Sequence, residues 1–150
     1  MNKLLKASEE FVVGKHQIGW VDDDFKEEFS KVSFTMPAKL PEVTTLRKYT
    51  DGNELLEKYP NLCTLGDVLL YMKKKKDWAV FLVRGNDAVF VVHVCWYSDC
   101  RKWLVHAWDL DRGWSAGYRS VFHTDSPSEP LNSLEDRVKR LEEIIEKHKL

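Results

Sequence analysis

The stretch Phe90–Leu110, FVVHVCWYSDCRKWLVHAWDL, constrains this chain more than any other, because large apolar side chains occupy both alternating sets of positions on either side of one polar break. Successive side chains of a strand point to opposite faces. A sheet with one wet face therefore alternates apolar and polar residues, whereas this stretch reads as two strands of a sheet buried on both sides. With Ser98–Arg101 as the turn, Tyr97 opposes Lys102, Trp96 opposes Trp103, Val94 opposes Val105 and His93 opposes His106.

Around this hairpin the β-branched and aromatic runs and short turns of residues 77–124 read as an antiparallel meander, with strands near 78–84, 87–97, 102–110 and 115–123. Gly85-Asn86 suits a two-residue type II′ turn, which needs a positive φ at glycine. Extending the register through the turns puts Val80, Leu82, Val91, His93, Cys95, Leu104, His106, Trp108 and Arg119 on one face. Phe90, Val92, Val94, Trp96, Trp103, Tyr118 and Phe122 fall on the other. The first face carries eight large apolar side chains once Trp78, Val89 and Val121 are counted with the five named. At about 1.5–3 kcal/mol each, leaving them wet would forgo as much as the about 5–15 kcal/mol that holds a whole domain folded. Both faces need covers.

Residues 1–76 supply helices for that purpose. Asp22 can cap a helix bearing Phe25, Phe29 and Val32. Pro37 and Pro41 enforce an extended link. Asp51 or Asn53 can open GNELLEKY, and Thr64 can cap LGDVLLYMKKKK with Leu65, Val68, Leu69 and Met72 on one face. A polar, proline-bearing linker at 125–130 then leads to Leu131, Leu134, Val138, Leu141 and Ile145, spaced alternately by three and four, the seam of an amphipathic C-terminal helix over 131–149. The expected fold is a single α+β domain: N-terminal helices, a four-stranded antiparallel meander over 78–123, and the C-terminal helix.

Charge narrows the function classes. Twenty-three Lys and Arg against 24 Asp and Glu give a net charge of -1, so no global field draws in nucleic acid or an anionic membrane. No run of residues has the roughly 18 apolar positions of a membrane span, and the N-terminus lacks a signal-peptide core. Cys63, Cys95 and Cys100 are an odd set without a CxxC pair, which points to reduced thiols and a cytoplasmic protein. No cofactor is expected, and no G-x-S-x-G, H-E-x-x-H or P-loop signature occurs.

Two surfaces stand out. His93, Cys95, His106 and Arg119 share a face in the expected register, which makes a pocket where Arg119 anchors an anionic group and a histidine moves a proton. The plainer reading makes the histidines half-buried core members, bonded to each other or to a carboxylate such as Asp67 or Glu57 from a covering helix. A zinc site at this cluster lacks an evident fourth ligand. The second surface is the seam Leu131, Leu134, Val138, Leu141 and Ile145, whose narrow apolar stripe suits a helix partner. The first expectation is thus a non-enzymatic, self-associating or protein-binding module. Second comes a ligand pocket or modest enzyme around His93, His106 and Arg119, and third a single-stranded nucleic-acid platform using Phe90, Trp96, Trp103, Tyr118 and Phe122.

Overall fold

The computed structural model describes residues 3–124. Along the chain run β1 (Leu5–Lys6), α1 (Ala7–Glu10), β2 (Ile18–Val21), α2 (Asp23–Glu28), β3 (Ser33–Phe34), β4 (Glu42–Thr45), β5 (Thr50–Asp51), α3 (Gly52–Lys58), α4 (Leu65–Lys74), β6 (Ala79–Arg84), β7 (Val89–Tyr97), β8 (Lys102–Trp108), β9 (Gly113–Trp114) and β10 (Arg119–Phe122). The class is α+β. The expected C-terminal helix over 131–149 lies outside the described residues.

Local chemistry sets the helix starts. The Asp22 carboxylate accepts from Asp24 N–H at 3.3 Å, which opens α2. Asp51 and Glu54 form a reciprocal capping box at the start of α3, and Thr64 and Asp67 form another at α4. Helix α4 buries Leu65, Val68, Leu69 and Met72 on the face that its spacing predicts, while Lys73 and Lys74 stay exposed at its last turn.

The sheet departs from the expected meander. It has six strands in the order β2-β8-β7-β6-β10-β4 and is mixed. The central hairpins are antiparallel, with Trp96 opposite Trp103 and His93 opposite His106, as their spacing predicts. The last strand does not lie beside β8. Beyond Trp108 the chain turns at Asp109–Arg112, leaves the sheet, pairs β9 with β5, and returns on the far side of β6 as β10, parallel to β6. Strand β2 takes the vacant edge of β8, also in parallel, and β4 closes the other edge against β10.

The Gly85-Asn86 turn is also different. Arg84 pairs with Val89, so four residues make the loop, and the positive-φ glycines are Gly14 and Gly117 rather than Gly85. Gly85 is needed for a close approach instead. A Cβ there would meet the Glu28 carbonyl at 2.6 Å, the carbonyl that accepts the Asn86 N–H at 2.7 Å. The Asn86 side chain completes the clasp on the end of α2, accepting from Lys31 N–H and donating to the Glu27 carbonyl.

Two cores result, one on each face. The larger joins Phe81, Val92, Val94, Trp103 and Val105 of the sheet to Phe11, Phe25, Phe29, Leu69 and Tyr71. The smaller sets Val80, Leu82 and Val91 against Leu46, Leu55 and Trp114. Among the described residues, the covers on this second face are thus α3 and the crossover after β8. From the crossover, Trp114 also reaches the His93 ring, their centroids 6.0 Å apart.

Candidate functional site

The second face carries His93, Cys95 and His106 beside the core around Val80 and Val91. It is crossed by a row of six rings. Trp20 lies 5.0 Å from His106 between ring centroids, His106 5.7 Å from His93, His93 5.4 Å from Tyr118, Tyr118 5.9 Å from Trp78, and Trp78 5.7 Å from Tyr97. The ends of the row are open: Trp20 is 44% exposed, Trp78 38% and Tyr97 40%. Its middle is sheltered, with His93 buried and His106 half-buried.

The positions follow from the topology. His93 and Tyr97 share a face because they are four apart on β7, and Trp20 joins them because β2 sets it opposite Leu104 on β8. Trp78 and Tyr118 precede β6 and β10, whose pairing brings both rings to one end of the sheet. The Trp78 indole N–H donates to the Trp96 carbonyl at 3.0 Å, which fixes its orientation.

Electrostatically this is a neutral surface. Burial, then the neighbouring His106 and Arg112, push His93 down to about 4. Burial and Arg112 also lower His106, although the nearby Asp22 acts in the opposite sense. The Cys95 thiol is pushed up to about 12 by burial, and its sulfur lies 3.3 Å from His93 Nε2. At neutral pH both rings are uncharged and the thiol is protonated. Neither an acidic imidazolium nor a ready nucleophile stands here.

The expected pocket of His93, His106 and Arg119 does not assemble. Arg119 pairs with Ala79 in the parallel β10–β6 register, which puts it on the helix-covered side. Its Nε is 3.3 Å from the Asp77 carboxylate, and it lines a cavity of about 430 Å³ with Lys76, Trp78, Trp96 and Tyr118. The expected carboxylate partners also lie elsewhere. Asp67 accepts from Thr64 N–H and hydrogen-bonds His123, and neither Asp67 nor Glu57 hydrogen-bonds His93 or His106 among the described residues.

The aromatic platform expected for nucleobases is dispersed. Trp103 is fully buried, Phe90 and Trp96 pack on the helix-side core, Tyr118 packs against the opposite core, and Phe122 stacks on Tyr59 at 4.0 Å. Of the ring row, the expected register foretells Trp78, His93 and His106 on one face, whereas Tyr118, expected on the other, joins them because β10 returns parallel to β6. Trp20 escapes notice because its strand, IGWV, is four residues long and pairs with a strand more than 80 positions away. The seam Leu131, Leu134, Val138, Leu141 and Ile145 lies outside the described residues.

No family model, no curated protein and no solved structure matches this chain in the comparisons made. Among the described residues no helix is long and apolar enough to cross a membrane.

Proposed function

We propose that this chain is a non-enzymatic interaction module that self-associates, a second copy covering the exposed rings Trp20, Trp78 and Tyr97. The observation that carries the reading is the row of rings from Trp20 to Tyr97, whose two ends and Trp78 are exposed large aromatic side chains. Large aromatic side chains at the rim of a buried apolar strip are the groups that anchor protein contacts. A net charge of -1 leaves little repulsion between copies, and one shared patch suits a two-fold contact. The heptad spacing of Leu131, Leu134, Val138, Leu141 and Ile145 supports the same reading from the sequence. Unpaired Cys63, Cys95 and Cys100 suit the cytoplasm.

A catalytic pocket is less well supported, since Arg119 lies on the opposite side of the sheet from His93, paired with Asp77, and the Cys95 thiol stays protonated. Sedimentation velocity of the full chain across a wide dilution series tests the proposal. A dimer is expected, weakened by Trp20→Gln with Tyr97→Gln, and weakened separately by Leu134→Glu with Leu141→Glu. A monomer at every concentration overturns it.

A further inference from the structure

Away from the ring row, three metal-ligating side chains meet at the edge of the helix-side core. Cys63, Asp67 and His123 each offer one ligand atom, and the three atoms lie within 4.8 Å of one another. Each comes from a separately anchored piece of backbone. Cys63 N–H donates to the Leu82 carbonyl at 2.8 Å, Asp67 is held in the capping box of α4, and His123 pairs with Asn61 just past β10. His123 Nε2 already lies 2.9 Å from Asp67 Oδ2, and the Cys63 thiol donates to the Val121 carbonyl at 3.4 Å.

We propose that Cys63, Asp67 and His123 bind a zinc-class divalent ion, with water in the fourth position. Thiolate, carboxylate and imidazole together suit a borderline ion such as zinc or cobalt(II) and disfavour magnesium or calcium, which take oxygen ligands. Charge points the same way. Cys63 and Asp67 are both buried, and a thiolate plus a carboxylate balances a divalent ion, leaving the buried cluster neutral.

The geometry needs small movements. Bond lengths of about 2.3 Å to sulfur and about 2.0 Å to nitrogen and oxygen set tetrahedral ligand atoms roughly 3.3–3.6 Å apart. The Asp67–His123 pair therefore opens by roughly half an ångström while the Cys63 sulfur turns from the Val121 carbonyl toward them. The His123 side chain is 16% exposed, which provides the entry path and the place for water. With His123 neutral, its ring proton shifts to Nδ1 and one proton per ion, that of the Cys63 thiol, passes to solvent. The spacing of these ligands hides the site in the sequence, because His123 comes 56 residues after Asp67.

Cobalt(II) titration of the full, chelator-treated chain provides the test, read by sulfur-to-cobalt charge-transfer absorption. One ion per chain is expected, with absorption lost in Cys63→Ser, retained in Cys95→Ser with Cys100→Ser, and displaced by zinc. His123→Gln should weaken binding by at least about tenfold. The double variant, whose one thiol is Cys63, keeps the test decisive should Cys63→Ser fail to fold. No charge-transfer absorption in the folded wild type or the folded double variant overturns the proposal. So does absorption that survives in Cys63→Ser.

Discussion

His93 and His106 stand directly opposite each other on β7 and β8, their ring centroids 5.7 Å apart and their planes inclined by 29°. Among the described residues no carboxylate hydrogen-bonds either ring, and the nearest polar contact of His93 is the Cys95 sulfur. Two imidazoles so placed cannot both carry charge without a partner. They behave as aromatic packing groups.

Acid should therefore destabilise the fold through His93. In the unfolded chain the ring takes up its proton near pH 6.5, in the folded chain only near 4, because burial penalises the charged form. The unfolded state binds more protons between these values, so the contribution is complete above about pH 6.5 and falls away toward 4, by up to ~3 kcal/mol. Urea melts from pH 7 to 4 on the wild type and on His93→Phe should show a shallower decline in the variant. Parallel declines would remove His93 as the cause.

Thiol reactivity should divide the three cysteines. Cys100 sits exposed in the β7–β8 turn, whereas Cys63 and Cys95 are buried and burial raises both thiols. Iodoacetamide at neutral pH should add one label to the native protein, at Cys100, with the other two thiols reacting only after denaturation. Native labelling of Cys95 would contradict the sheltered centre of the ring row.

The clasp between the β6–β7 loop and α2 should be sensitive to a single methyl group. Gly85→Ala puts a Cβ against the Glu28 carbonyl and the Phe90 ring, 2.6 and 3.2 Å away before any relaxation. Overpacking of this kind costs about 1–3 kcal/mol. The urea midpoint should fall with an unchanged slope. An unaltered midpoint would mean that the loop moves aside at no cost.

The start of α3 depends on a reciprocal pair of hydrogen bonds, Glu54 N–H to the Asp51 carboxylate at 2.9 Å and Asp51 N–H to the Glu54 carboxylate at 3.4 Å. Asp51→Ala should cost about 1 kcal/mol. Because α3 covers the second sheet face through Leu55, the loss should appear as faster hydrogen exchange in α3 and around Val80.

What the sequence discloses follows the range over which each feature is encoded. The β7–β8 register is legible from Trp96, Trp103, His93 and His106, because one short turn sets it and no distant segment competes. The faces of β6 survive a wrong loop length because four loop residues in place of two shift the register by an even number, leaving Val80 and Leu82 on the side of His93. Arg119 is misplaced because its neighbour is Ala79 across a parallel ladder, and no local turn specifies such a pairing. Strands β2 and β4 are four residues each, too short for alternation to separate them from loops. Asp67 draws attention as a helix-borne carboxylate, yet its contact with His123 depends on where β10 returns.

The position of β10 has a consequence for the newborn chain. Arg119 pairs with Thr45 on one side and Ala79 on the other, so β4 has no place in the sheet until the ribosome has released the chain through β10. Until then β6 presents a bare row of backbone donors and acceptors, VFLV among them, to any passing strand. Nascent chains stalled short of Arg119 are thus the species most prone to clump, and β10 acts as the stopper that ends that exposure.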